Sequence, residues 1–143
     1  MIVDFPVVYR RRVRYSDADA QGVVFNANHL VYLDDCLTDL LEQAGLGIDR
    51  LPAEGFEIVM RRIEVDFLAP ARINDDLCVG VRFVAAGTTS LTLDGHVWQE
   101  DTGTQVARSV STHVLVDSAT FRPTPVPAFV LSAIEDVQGP IRG

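Results

Sequence analysis

Asn28-His29-Leu30-Val31-Tyr32-Leu33-Asp34-Asp35-Cys36-Leu37-Thr38-Asp39-Leu40-Leu41-Glu42-Gln43-Ala44-Gly45 is the stretch on which the fold turns. Leu30, Leu33, Leu37, Leu40, Leu41 and Ala44 recur at i, i+3, i+4 spacing, while Asp34, Asp35, Asp39 and Glu42 fall on other faces. That pattern predicts one amphipathic helix of about 17 residues. Asn26 or Asn28 offers the N-cap, because a short polar side chain can accept a first-turn N–H that the helix leaves free. Gly45 suits the left-handed residue that follows a last helical turn. The apolar stripe of such a helix has to be covered by a large surface.

That surface is legible on both sides of the helix. Upstream, Val7 to Tyr15 reads as a strand whose end alternates, with Arg12 and Arg14 opposite Val13 and Tyr15. Downstream, Leu51 to Gly55 reads as a turn or a short helical piece, and then the period becomes two. Phe56, Ile58 and Met60 share one parity, and Ile63, Val65 and Phe67 share the other. The flip at Arg61–Arg62 predicts a bulge. Leu77, Val79, Val81 and Phe83 alternate next, then Leu91, Leu93 and Val97, then Val106, Val110, Val114 and Val116. The breaks between these runs are short, so the strands are antiparallel neighbours. A tail from Arg122 carries Pro123, Pro125 and Pro127 and closes with a short helix over Ala128 to Val137. Strand, long helix, then about four long strands makes an α+β fold, one helix on one face of an antiparallel sheet. The remaining sheet face and edges call for a second copy.

Composition bounds what such a domain can do. The chain has 143 residues, the length of one domain, read as 1–143 with a core over 7–117 and a tail over 118–143. Hydrophobic residues make up 48% and charged residues 22%, which excludes wholesale disorder. There are 20 acidic residues against 12 basic ones, all Arg, and the net charge is −8. A broad nucleic-acid or anionic-membrane surface is excluded, since such binding needs a basic face. The absence of Lys excludes a Schiff base, a P-loop lysine and a Ser–Lys dyad. Cys36 and Cys78 belong to no CxxC and no Cys–His cluster, so they read as reduced core residues of a cytoplasmic protein, without a disulfide or zinc. Met1 to Arg14 has acid first and base last, the reverse of a secretion signal, and no apolar run reaches about 18 residues, so no membrane span is expected.

The chemistry-bearing stretch is Val13-Arg14-Tyr15-Ser16-Asp17-Ala18-Asp19-Ala20-Gln21-Gly22-Val23-Val24-Phe25-Asn26-Ala27-Asn28-His29-Leu30. It sets two carboxylates just ahead of a helix N-terminus, whose free N–H groups carry partial positive charge. Acyl transfer needs this combination: donors polarise a carbonyl oxygen, and a carboxylate attacks or activates water. Two plainer readings exist. Asp17 and Asp19 could form Asx-turns. Asp17-x-Asp19-x-Gln21-Gly22 also copies the start of a calcium loop, but Asn28 stands where the bidentate Glu belongs.

Tyr15 to Phe25, with Asn28-His29-Leu30-Val31-Tyr32-Leu33-Asp34, closely resembles the motif and helix start of the 4-hydroxybenzoyl-CoA thioesterase family of hotdog-fold proteins. Ile63-Glu64-Val65-Asp66-Phe67-Leu68-Ala69-Pro70-Ala71-Arg72, with Asp75 or Asp76, resembles its strand-and-turn signature. The resemblance spans roughly residues 7 to 117. It implies a sheet wrapped around a long helix, edge-to-edge homodimers that often form homotetramers, and an active site at the subunit interface. It implies an acyl-CoA substrate, hydrolysed without metal or redox cofactor. Asp19 would be the catalytic carboxylate, as nucleophile or as general base. The backbone N–H at Asn26 would polarise the thioester carbonyl. Gly22, Val24, Phe25 and His29 would make up the substrate-binding set, Gly22 also allowing a tight turn, and Asp17 would brace the loop.

The departures narrow the implication. Many relatives carry His where this chain has Asn26, so no imidazole is available there, whereas a backbone donor survives. His29 stands where Tyr is common and would line the acyl pocket or cap the helix. Asp34, Asp35 and Glu42 could mimic the helix carboxylate of another hotdog group, but they also suit the helix's polar side. The Asp/His motif of hotdog hydratases is absent. The alternatives are a non-catalytic acyl- or CoA-binding hotdog subunit, and a hotdog dehydratase or decarboxylase. Arg10, Arg11, Arg12 and Arg14 are candidates for CoA phosphates or for surface pairing with carboxylates. His96 and His113 sit at unrelated spacing and make no metal site. Thr88, Thr89 and Ser90 suit a turn after Gly87, and Trp98 suits packing or an interface.

Overall fold

A computed structural model describes residues 4–141; residues 1–3, where the N-terminal stretch read above begins, and residues 142–143 lie outside the described residues. The helical pattern forms α1 (Asn26–Gln43), with a short α2 (Arg50–Ala53) after it and α3 (Ala128–Gln138) in the tail. The period-two runs form β1 (Val8–Arg12), β2 (Phe56–Phe67), β3 (Asp76–Ala86), β4 (Ser90–Gln99) and β5 (Gln105–Asp117). They make a five-stranded sheet in the order β1-β3-β4-β5-β2, every pair antiparallel.

α1 ends as its sequence predicts. Gly45 has φ +76, its N–H reaches the Glu42 carbonyl at 3.0 Å, and the Leu46 N–H reaches the Leu41 carbonyl at 2.7 Å, a Schellman closure. Its start differs from expectation. Phe25 is the N-cap and Asn26 is the first helical residue, without a side-chain cap. Asn28 cannot cap, because its amide bonds backwards, to the Asp17 carbonyl at 2.8 Å.

The buried side of α1 carries Leu33, Cys36, Leu37 and Leu40 and packs with Val79, Val81 and Phe83 of β3 and Leu91, Leu93 and Val97 of β4. Burial of these side chains is the main term holding helix to sheet. Helix and sheet come close at Gly95, where an added Cβ would lie 2.7 Å from the Leu33 side chain. Cys36 and Cys78 are both free and buried.

The expected bulge is present: the β2–β5 register shifts between Met60 and Arg62. β5 buries Val106, Val114 and Val116 of its valine run, and polar residues between them as well. Ser109, Ser111 and His113 pair with Gly95, Leu93 and Leu91, and so share their inward face. All three polar residues are buried, and Ser111 Oγ meets His113 Nε2 at 3.0 Å. Val110 points the other way and is 45% exposed. The valine run gives no hint of this polar row; the Ser–His hydrogen bond offsets the desolvation that otherwise keeps such groups outside. β1 is also shorter than expected: the chain leaves the sheet after Arg12 and makes a 3-10 turn over Tyr15–Asp17.

The two sheet edges are treated differently. Beyond β1, the free edge of β3 is covered by α3, where the Gln138 amide donates to the Phe83 carbonyl at 2.6 Å and accepts its N–H at 2.9 Å. β2 is a 12-residue edge strand with no neighbour on its outer side among the described residues.

Candidate active site

The motif loop is a tight hairpin feeding α1. Ala18 bridges Val24, the Asp19 N–H donates to the Val23 carbonyl at 2.9 Å, and the Gly22 N–H returns to the Asp19 carbonyl at 3.0 Å. Gly22 has φ +77, and a Cβ added there would meet nothing within 4 Å, so glycine is required by backbone conformation and not by crowding. Asp19 stands exposed at the tip, and one carboxylate oxygen accepts the Gln21 N–H at 2.8 Å. The second arm runs through Val24 and Phe25 into Asn26, so the hairpin folds Asp19 back beside the chain entering α1. Phe25 is 53% exposed at the N-cap. Val24 is 3% exposed in the core, its N–H bound to the Ala71 carbonyl at 2.8 Å. Its side chain therefore packs the core and does not line an open site.

Asp17 ties this loop to the rest of the fold. Its carboxylate takes the Arg11 guanidinium at 2.8 and 3.0 Å and the Arg14 N–H at 2.8 Å. Its carbonyl takes the Phe25 N–H at 2.9 Å and the Asn28 amide at 2.8 Å. Burial alone would raise the Asp17 pKa, but the bonds from Arg11 and from the Arg14 backbone outweigh it and hold the carboxyl below its ordinary value. With both oxygens engaged, Asp17 is no calcium ligand. Arg11 also lies over the Tyr32 ring, 5.5 Å from its centroid, and the buried Tyr32 hydroxyl is pushed up in pKa by burial and by the Asp17 charge. Arg11 and Tyr32 complete the network around Asp17, a placement that the motif reading did not give them. One signal was available: Arg11 shares the parity of Tyr9 and Val13, the core-facing side of β1.

Arg10 and Arg12 of that cluster are paired outside the site, and Arg14 has no carboxylate partner among the described residues. Arg10 meets Glu100 at 2.6 Å and Arg12 meets Asp76 at 2.9 Å, both largely exposed. His29 does not cap the helix. Its ring is 3% exposed, 5.8 Å from both Tyr32 and Phe67, and its Nδ1 has no partner. Burial lowers its pKa, and that of His113 likewise, so folding favours the neutral form of both. The unfolded imidazole protonates below about pH 6.5 while the folded one resists. The unfolded state then binds more protons, and stability falls as pH drops below that value. We expect the melting temperature to decline from pH 7 to pH 5, and His29→Phe, which keeps the ring packing, to flatten the decline. Equal slopes in both proteins would remove His29 from this account.

Among the described residues no group of three or more His, Cys, Asp or Glu comes together as a metal site. A groove of about 720 Å³ opens on the other face of the sheet, lined by Phe5, His96, Trp98, Gln105 and Arg108. It contains none of the hairpin residues from Tyr15 to Phe25, and Trp98 there stacks on Phe5 at 5.7 Å.

The thioesterase-like superfamily model matches residues 13–134, which include the hairpin, α1 and the whole run from β2 to β5. The chain belongs to the thioesterase-like superfamily. It is 27% identical to the acyl-CoA thioester hydrolase YbgC of Escherichia coli over 121 residues, 85% of this chain and 90% of that one. It is 26% identical to the 1,4-dihydroxy-2-naphthoyl-CoA hydrolase of Synechocystis over 133 residues, 92% and 96% of the two chains. A thioesterase from Thermus thermophilus, solved with coenzyme A and Zn, superposes with a TM-score of 0.82 at 32% identity, over 94% and 96% of the two chains. The wrapped helix and antiparallel sheet are thus the hotdog fold of these thioesterases.

Proposed function

We propose that this member of the superfamily is an acyl-CoA thioesterase that converts a thioester and water into a free carboxylic acid and coenzyme A. The observation that carries the reading is the hairpin, which presents an exposed carboxylate, Asp19, beside the chain entering α1. Asn26 and Ala27 head the helix, and a helix cannot satisfy its own first N–H groups. A thioester carbonyl set against the Asn26 N–H gains positive potential where the oxyanion develops. Asp19 then either attacks the carbonyl carbon, giving an anhydride that water opens, or takes a proton from the attacking water. In both routes the C–S bond breaks, the CoA thiolate leaves and is protonated, and the acid departs as carboxylate. Asp17, Arg11 and Asn28 keep the hairpin fixed relative to α1, so little reorganisation is needed when charge develops.

Asp19 is exposed in one copy, and electrostatic stabilisation is strongest in a water-excluded site. Tyr15 and Phe25 of the motif loop, Val31 of α1 and Phe67 at the end of β2 are all roughly half or more exposed. The long β2 edge is open as well, and an open edge of that length ordinarily pairs. A second copy joined along β2 would close both. The assembly is therefore a homodimer, or a homotetramer built from it, with the site completed at the interface. No described helix is long and apolar enough to cross a membrane, and two reduced buried thiols suit the cytoplasm.

The test is thiol release across aryl and aliphatic acyl-CoA substrates. Hydrolysis of at least one, well above the uncatalysed rate, is expected. Binding of acyl-CoA without turnover of any would instead identify a non-catalytic subunit, and water addition to an enoyl-CoA would identify a hydratase.

A further inference from the structure

The turn after Pro70 has no part in the chemistry above, yet it is built beside the hairpin. The Val24 N–H donates to the Ala71 carbonyl, and Val23 bridges Arg72. Asp19, Val23 and Arg72 therefore stand on three adjacent chain segments. The Arg72 backbone is pinned on both sides: its N–H donates to the Asp75 carboxylate at 2.8 Å and its carbonyl accepts the Asp75 N–H at 3.0 Å. Asn74 turns the corner at φ +72, a conformation that Asn tolerates better than most residues. Two further bonds, Val13 N–H to the Asp75 carbonyl and Asn74 N–H to the Val13 carbonyl, fasten the turn to the segment that leads into Arg14.

This frame holds a backbone rigid and leaves two guanidinium groups free. Arg10, Arg11 and Arg12 are each taken by a carboxylate. Arg14 and Arg72 are exposed and have no carboxylate partner among the described residues. Asp75, the acid of the same turn, is already engaged by the Arg72 N–H and by the Gln99 amide at 2.9 Å. In a chain of net charge −8, Arg14 and Arg72 stand out as two cations that no carboxylate neutralises, on segments fastened to the hairpin and to its neighbouring turn. Arg is the side chain suited to phosphate, which it binds through paired N–H donors.

Resting on the thioesterase reading, we infer that Arg72, seconded by Arg14, receives the phosphate-bearing nucleotide end of coenzyme A while the thioester lies at Asp19 and Asn26. The turn fixes where the anionic end of the substrate is held, and the hairpin fixes where it reacts.

The experiment compares an acyl-CoA with the same acyl group on N-acetylcysteamine, a thioester that lacks the phosphates. Arg72→Ala is expected to raise KM for the acyl-CoA about tenfold and leave kinetics on the truncated thioester unchanged. Titration of free coenzyme A should show a matching loss of affinity, and added salt should weaken wild-type binding more than variant binding. Arg14→Ala should act in the same direction and less strongly, and Arg72→Lys should retain part of the affinity. Unchanged coenzyme A affinity in Arg72→Ala overturns the assignment. So does an equal loss on both thioesters, which marks a structural role, and so does a loss confined to Arg14→Ala. The titration needs no turnover, so it reads out even if the catalytic role of Asp19 fails its own test.

Discussion

Asp19→Asn should lose at least about a thousandfold in kcat while its melting temperature stays within roughly a degree of wild type. The substitution keeps size and shape, and an Asn oxygen can still accept the Gln21 N–H that Asp19 accepts. It removes the negative charge and basicity that either route requires. Steady-state thiol release beside thermal melts separates the two effects. In single turnover in ¹⁸O-water, label entering the Asp19 carboxylate marks a nucleophile whose anhydride water opens at the Asp19 carbonyl. A variant that keeps its fold and its full rate would remove Asp19 from the mechanism.

The largest stability effect belongs to Arg11→Ala. Breaking a buried ion pair on one side leaves an uncompensated charge, here Asp17, whose side chain is 9% exposed. Arg11 itself is one-third exposed, so the loss falls at the low end for such pairs, about 3 kcal/mol, or roughly 6–12 °C in melting temperature. The sign with pH follows from the lowered Asp17 pKa. Its stabilisation is fully present above the unfolded carboxylate value, about 3.9, and is lost as pH falls through the lower folded value. The gap between wild type and Arg11→Ala should therefore be wide at pH 7 and close in strong acid. Arg11→Ala with Asp17→Asn should be more stable than Arg11→Ala alone, because no charge is then stranded. Denaturant melts of the three variants check this, and additive losses would show that Arg11 and Asp17 are uncoupled.

The sequence disclosed the fold through periodicity, and it failed where polarity and burial part company. The leucine stripe of α1, the glycine closure at Gly45 and the parity flip at Arg61–Arg62 all follow from local rules, and the structure has each of them. The buried Ser109, Ser111 and His113 of β5 were not legible, because hydrophobicity marks an inward face only where that face is apolar. The long-range pairs were the least legible. Nothing in the spacing of Arg10, Arg11, Arg12 and Arg14 says that three of them meet Glu100, Asp17 and Asp76, since those partners depend on the β1–β3 register and on the turn that follows β1. The candidate site was legible as a motif, a carboxylate ahead of a helix start, whereas the Asp17 network that holds that loop in place was visible only in three dimensions.

The central claim is that Asp19 and the Asn26 N–H converge on one carbonyl. Its most direct test is a crystal structure of the protein with an acyl-CoA analogue that has a methylene between carbonyl and sulfur and so cannot be cleaved. The account predicts the carbonyl oxygen about 3 Å from the Asn26 nitrogen, with the Asp19 carboxylate facing the carbonyl carbon. A carbonyl seated away from the start of α1, for example in the groove beside Trp98 and Arg108, would contradict it.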